Sequence, residues 1–437
     1  MKRDIKVCKF GGTSVASSQQ FKQIQHIVSL DNTRKIIVVS APGKIADSQA
    51  KVTDLLYLLY EHIKYDTDYR HLLHQITDRF IEIKNNLGLS FDVKQYMSDL
   101  SKNLSKTVHR DWLVSRGEYL TAKLMSEFLG YTFLDSYQHI FVNYDKQIDY
   151  DKTESTMAKI NVDHGIVMPG FYATTPNKDV TLLSRGGSDT TASIIAYALN
   201  VKAYENFTDV NGVYVTDPTI VKDAKIIPAL NYSEIKELSY RGAKLFHQEA
   251  ITPVAKRDIP IIIKNTNQPE EAGTIISSNA SPKEHIVTAI SGKKEFTIFN
   301  ITKTGDEAKT KILQSIITIF MRHNIEIEHI PSGIDSFSVI VSHDQVDTSK
   351  FMIMSQLSEL DGIERIDIEE SLALIAVVGK NMAKTPGVAG KLFSALGNAK
   401  INIKVIAQSS TELSVIVGVD EPDYSDAITT IYHTFFE

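Results

Sequence analysis

The chain has 437 residues, with 47 Lys or Arg against 53 Asp or Glu and a formal charge of −6. That mild acidity gives no footprint for nonspecific nucleic-acid binding, which needs clustered positive charge, and no apolar run approaches the roughly 18 residues that span a bilayer. A single cysteine, Cys8, excludes an internal disulfide framework and a thiolate zinc cage. The charged first six residues have no apolar core behind them, so no secretory leader is expected. What remains is a cytoplasmic globular enzyme or ligand sensor, with neither nucleic acid nor membrane as partner.

Residues 4–10 read as a strand, and Gly11-Gly12-Thr13-Ser14 as a tight turn. Phe21, Ile24, Ile27 and Val28 then recur at helical spacing in a helix expected over 17–30. A buried strand of parallel type follows at 35–40. Strand, helix and strand at this length make a right-handed βαβ unit and argue for an α/β sheet. Residues 53 to about 130 read as mostly helical, with Leu72, Leu73, Ile76, Phe80 and Ile83 in one run and Leu120, Leu124, Met125 and Phe128 in another. His71 and His74 lie one turn apart there and read as a solvated helix face rather than a metal pair. Strands are expected again at 131–134 and 140–143.

A second glycine turn, Ser184-Arg185-Gly186-Gly187-Ser188-Asp189, follows a strand at 179–183 and opens a helix at 190–199. The next strand, 202–208, runs into Asp209-Val210-Asn211-Gly212, whose Asn-Gly is a strong turn signal. Two further α/β stretches finish near residue 275. The polar run 277–283 marks a domain boundary. Beyond it lies an internal repeat: residues 325–341 align without gaps to 401–417, identical at seven of 17 positions and at a constant offset of 76. Each copy is flanked by helix-like runs, at 307–323 and 347–359 in the first and at 387–399 and 423–433 in the second. This period reads as two βαββαβ modules, each a small sheet with helices on one face.

A glycine turn that opens a helix offers backbone amides and a favourable dipole to an anion, and its missing side chains let phosphate come close. One such turn is weak evidence, because glycine also serves plain tight turns. Here there are two, the first with Lys9, Thr13 and Ser14, the second with Arg185 and Ser188. A P-loop would put its lysine after the glycines, whereas Lys9 precedes them, and the protein-kinase motif set is missing.

Together these residues resemble the aspartate kinases of the amino-acid kinase family, over nearly the whole chain. The resemblance is carried by Lys9-Phe10-Gly11-Gly12-Thr13-Ser14, Ser115-Arg116-Gly117-Glu118, Pro169-Gly170-Phe171, Arg185-Gly186-Gly187-Ser188-Asp189, Thr208-Asp209-Val210-Asn211-Gly212-Val213-Tyr214-Val215-Thr216-Asp217-Pro218 and Gly242-Ala243-Lys244. The C-terminal repeat looks like that family's paired ACT modules. The fold so implied is a three-layer α/β/α sandwich of amino-acid-kinase type, catalytic over 1–283, followed by two ferredoxin-like ACT modules at 284–370 and 371–437. The strand at 285–291 is a candidate member of the second module's sheet, as in this family.

The resemblance implies transfer of the ATP γ-phosphoryl group to the β-carboxylate of L-aspartate, the first step toward lysine, threonine and methionine. Lys9 and Asp189 would be the catalytic pair, Lys9 holding the transferring phosphoryl oxygens with the Gly11 and Gly12 amides. Arg185 can grip a substrate carboxylate bidentately, which lysine cannot. Glu118 and Asp189 are candidates for the substrate ammonium, a role compatible with the capping that acids provide at helix N-termini. Ser40, Thr53, Phe171 and Ser188 would line the aspartate site, and Thr208, Asp209, Tyr214, Asp217, Lys244 and Leu245 the nucleotide site. Mg²⁺ is expected with ATP, held largely by phosphate and water, so no dedicated protein metal ligands are expected. The ACT modules imply feedback inhibition by lysine, threonine or both, through Gly305, Asp306, Ser332, Asp335, Gly387 and Val388, and a homodimer formed through those modules.

Three positions depart from the family pattern: Thr219 stands for the usual arginine after Thr-Asp-Pro, Ser184 for a glycine, and Gln248 for the proline after His247. The first removes one expected phosphate cation and is the departure that bears most on nucleotide affinity. Other family members acting on glutamate, an acetylated glutamate or a nucleotide are disfavoured by the 115–118 motif and the ACT pair. A catalytically inactive amino-acid sensor is disfavoured by intact Lys9, Arg185 and Asp189. No length remains after the second module for a fused homoserine dehydrogenase, so a monofunctional enzyme is expected.

Overall fold

A computed structural model of the chain describes residues 2–46, 49–183, 186–242, 246, 248–280, 285–304, 308–408 and 410–437. The chain divides into two compact units. The first comprises Met1–Val213, Ile226–Ser239 and Lys244–Pro282, the second Tyr214–Lys225, Tyr240–Ala243 and Lys283–Glu437.

The strands of the first unit are β1 (Arg3–Phe10), β2 (Arg34–Val39), β3 (Thr132–Phe133), β4 (Ile166–Pro169), β5 (Tyr172–Thr174), β6 (Val180–Leu182), β7 (Val201–Thr208), β8 (Ala229–Leu230), β9 (Ile261–Asn265) and β10 (Thr274–Ile276). Eight of them form one sheet in the order β3-β4-β2-β1-β7-β9-β10-β8. β3, β4, β2, β1, β7 and β9 are parallel; β10 runs against β9 and carries β8 parallel to itself. Side chains alternate between the two faces of a strand. Cys8 and Phe10 of β1 join Ile37, Val39 and Phe207 in a core that includes Phe21, Ile24 and Ile27 of the helix Ser18–Ser29. Lys9 therefore faces the other way, toward the helix Gly187–Leu199. Ser17 caps the Ser18–Ser29 helix by accepting from the Gln20 amide. Five helices, Val52–Lys64, Arg70–Leu87, Val93–Lys102, Arg110–Val114 and Arg116–Leu129, intervene between β2 and β3. His71 and His74 are exposed on the second of them.

Two expected strands differ. Residues 140–143 are no strand: they follow the short helix Ser136–His139 and make only single bridges, Phe141 to Thr174 and Val142 to Ile148. Ile140 and Val142 are buried, which explains the apolar signal, but the Asn143 side chain accepts from the amides of Asp145 and Gln147 and turns the chain back at once. The strand before the second glycine turn exists as β6, but it pairs with β5 in a separate two-stranded ribbon.

The second unit contains β11 (Ala289–Lys303), β12 (Ile327–His329), β13 (Ser336–Ser342), β14 (Ile363–Val378), β15 (Val405–Gln408) and β16 (Ser414–Asp420), in one antiparallel sheet of order β12-β13-β11-β14-β16-β15. Instead of two separate small sheets there is one, because β11 and β14 are long enough to serve both halves. Phe296–Thr302 of β11 lies between β13 and the first part of β14, while Ala289–Lys293 pairs with Leu374–Val378 beside β16. The second half thus takes its fourth strand from chain that precedes the first half. Residues 214–225 and 240–243, expected in the α/β unit, group here. The Ile290 amide donates to the Val215 carbonyl at 2.7 Å, and Ser291 Oγ to the Arg241 carbonyl at 3.2 Å.

Candidate active site

In an open parallel sheet the carboxyl ends of the strands form the natural crevice for a ligand. Here the ends of β1, β2, β4 and β7 converge on a cavity of about 870 Å³. Its lining includes Lys9, Gly11, Gly12, Ser40, Thr53, Glu118, Phe171, Ser188, Asp189 and Thr208. Residues spread over 200 positions of sequence are thereby brought to one place.

Lys9 Nζ pairs with Asp189 Oδ1 at 2.7 Å, and both residues are only 9% exposed. Asp189 sits in the first turn of Gly187–Leu199, whose N-cap Gly186 has φ 77°, a left-handed conformation suited to glycine. The helix comes close to the wall of the site: a Cβ on Gly187 would lie 2.5 Å from Phe171 Cδ2. Phe171 itself has φ 79°, uncommon for a bulky residue, and its amide donates to Thr191 Oγ1 at 3.0 Å. The Gly11 N–H donates to the Phe207 carbonyl at 3.2 Å.

Glu118 lies in the first turn of Arg116–Leu129 and is 3% exposed. Burial pushes its carboxyl up to about 8, against the opposing pull of the backbone amides of Ala41 and Glu118 and of the Arg116 charge. Its Oε2 has no hydrogen-bond partner. A cationic ligand group would both satisfy that oxygen and ionise the carboxyl.

Other expected site residues lie elsewhere. Asp209 lines a smaller cavity of about 190 Å³ with Thr13, Ser14, Lys44 and Thr266, and accepts from Thr208 Oγ1 at 3.1 Å. Tyr214 and Asp217 fall in the second unit. There Asp217 Oδ1 accepts from the amide and hydroxyl of Thr219 at 2.8 and 2.7 Å, so the residue that replaces the usual arginine closes a local turn. Arg185, Lys244 and Leu245, and also Ser184 and His247, lie outside the described residues. Of the expected effector residues, Ser332 and Asp335 share the hairpin before β13, where Asp335 pairs with Lys303 at 3.4 Å. Gly387, with φ 88°, and Val388 open the helix Val388–Asn398, while Gly305 and Asp306 lie outside the described residues.

Sequence reasoning missed Asn206, which is 3% exposed and lines the cavity. The available signal was a polar Glu205-Asn206 pair between the apolar Tyr204 and Phe207 of a central strand. Among the described residues no three His, Cys, Asp or Glu side chains gather to hold a metal ion, and no described helix is long and apolar enough to cross a membrane.

Residues 4–265 match the model of the amino acid kinase family and residues 375–435 that of an ACT domain. The chain is 33% identical to aspartokinase 3 of Bacillus subtilis over 448 residues, 99% of each chain. An aspartate kinase structure from Clostridium acetobutylicum superimposes with a TM-score of 0.88 at 38% identity, covering 99% of this chain and 100% of that one. E. coli aspartokinase III in complex with aspartate and ADP, the R-state, gives 0.82 at 25% identity, covering 99% and 100%. The same enzyme with lysine and aspartate, the T-state, gives 0.80 at 25%, covering all of both chains.

Proposed function

Since the chain belongs to the aspartokinases of the amino-acid kinase family, we propose that it transfers the γ-phosphoryl group of ATP to the β-carboxylate of L-aspartate, giving 4-phospho-L-aspartate and ADP. The observation that carries this reading is the cavity in which Lys9, Glu118, Ser188 and Asp189 meet at the carboxyl edge of the sheet.

The acceptor is already a carboxylate at neutral pH, so no general base has to create the nucleophile. A substrate oxygen forms the new bond to phosphorus as the bond to the β-phosphate oxygen of ATP breaks. What such a reaction asks of the protein is in-line positioning and charge neutralisation. Lys9, held by Asp189 at 2.7 Å, is the cation for the moving phosphoryl oxygens. Glu118 receives the substrate ammonium, whose charge favours the ionised carboxylate, the proton passing to solvent. Arg185 takes a substrate carboxylate, and Ser40, Thr53, Phe171 and Ser188 complete that pocket. Thr208, Asp209, Lys244 and Leu245 serve the nucleotide. No three described His, Cys, Asp or Glu side chains gather to hold Mg²⁺, so the ion would come with ATP on phosphate and water and would supply neutralisation of phosphate charge.

The ACT part of the chain acts as a sensor for lysine, threonine or both, in keeping with the lysine-bound T-state of the E. coli relative. Ser332, Asp335, Gly387, Val388, Gly305 and Asp306 are its candidate contacts, and two copies of the chain pair through these modules. An effector works only by binding one conformation better than another.

Incubation with ATP, Mg²⁺, hydroxylamine and a panel of amino acids tests the reading. A hydroxamate from aspartate alone is expected. Signal from glutamate or an acetylated glutamate instead reassigns the substrate. No signal from any acid, with lysine or threonine still raising the melting temperature, makes the chain a sensor.

A further inference from the structure

Asn206 lies opposite Lys9 in the parallel register of β1 and β7, so the two side chains share a face of the sheet. On that face Asn206 Nδ2 donates to Asp189 Oδ1 at 3.2 Å, the oxygen that Lys9 Nζ meets at 2.7 Å. Tyr204, two residues earlier on β7, adds a long contact from its hydroxyl at 3.5 Å. Burial and the neighbouring Asp189 push that phenol well above its usual range, so it stays a neutral donor. One carboxylate oxygen is thus the focus of three donors from two strands.

The orientation of the Asn206 amide follows from chemistry. An ionised carboxylate only accepts, so the NH₂ end must face Asp189. The other end, Oδ1, is then buried without any partner. An unpaired buried acceptor is destabilising, and an apolar side chain of similar shape would avoid it. A local conflict of this kind in the middle of a buried strand is characteristic of a functional position.

We propose that Asn206 is a positioning residue for phosphoryl transfer: its amide fixes the Asp189 carboxylate and, through it, the Lys9 ammonium. The inference rests on the proposed kinase activity. The charged and titratable groups that face Asn206 are Lys9 on β1, Asp189 on the helix Gly187–Leu199 and Tyr204 on β7. The β9 neighbour in register is the apolar Ile263, and Glu118 lines the same cavity.

Two variants of the full chain test it in the hydroxamate assay. Asn206→Leu frees the carboxylate to rotate, and kcat falls by up to about a hundredfold, with KM for ATP and aspartate little changed and the melting temperature maintained or raised. Asn206→Asp puts two carboxyls side by side, so one keeps its proton to a higher pH. While protonated it can donate to its neighbour as the amide does. Its activity is therefore lost as pH rises through that titration, an alkaline loss absent from the wild type, while the acid-side dependence on Glu118 ionisation is common to both. Wild-type kcat in Asn206→Leu, or a wild-type pH profile in Asn206→Asp, overturns the role even if stability changes. If Asn206→Leu does not fold, the pH profile of Asn206→Asp decides alone. A wild-type protein inactive on aspartate overturns the functional reading, and this role with it.

Discussion

Replacing Glu118 with glutamine should make the ligand-free protein more stable at neutral and alkaline pH while weakening aspartate binding. The carboxyl titrates near 8 in the folded chain because it is buried, against an ordinary value of 4.5. Between those values the native state holds a proton that the unfolded state has released. Unfolding free energy therefore falls as pH rises through that window and levels off above about 8. At about 1.4 kcal/mol per pH unit, three and a half units correspond to on the order of 5 kcal/mol. Glutamine has the same shape and no charge to lose, so it removes this slope. Scanning calorimetry of both proteins without ligand, from about pH 5 to about pH 8, should show curves that meet at the acid end and separate with rising pH, the variant above. The functional cost appears in binding: loss of a hydrogen bond to a charged group weakens aspartate by roughly ten- to a hundredfold. For the wild type below pH 8, affinity should improve by up to about tenfold per pH unit, as less work is needed to ionise Glu118. Identical pH slopes for the two proteins, or undiminished aspartate affinity in the variant, would refute the reasoning.

Lys9→Ala should reduce kcat by roughly a hundred- to a thousandfold, the usual loss when a preorganised transition-state donor is removed, with the circular dichroism spectrum retained; normal turnover would remove Lys9 from the site. Gly187→Ala forces its methyl against Phe171, only 2.5 Å away. A loss of about 1–3 kcal/mol in urea unfolding is expected from such overpacking, together with a raised KM for aspartate as the ring is displaced. Glu205→Leu leaves Arg34, its partner at 2.7 Å, buried without a counter-charge, while Lys6 keeps Asp31 at 2.9 Å. Denaturant midpoints should show a loss of about 3–5 kcal/mol, with kcat unchanged below the melting transition because Glu205 does not line the cavity.

What the sequence determined by itself was what short-range pattern can carry. The helix Ser18–Ser29 follows from its stripe of Phe21, Ile24 and Ile27, and the glycine turns mark where β1 ends and Gly187–Leu199 begins. The motifs around Lys9, Glu118 and Asp189 identified the chemistry, and the 76-residue offset revealed the paired modules. These signals are local because propensity, capping and turn geometry act over a few residues. Pairing partners were not legible. That β6 leaves the main sheet, that 140–143 turn back on Asn143, and that β11 and β14 each run through both halves of one sheet depends on contacts far apart in sequence. The same holds for Gly11, whose amide is taken by the Phe207 carbonyl, and for Asn206, which reads as an ordinary strand residue until register sets it beside Lys9 and Asp189. A side chain's alternation along its strand is written in sequence, but which neighbour it meets is decided only when the strands pair.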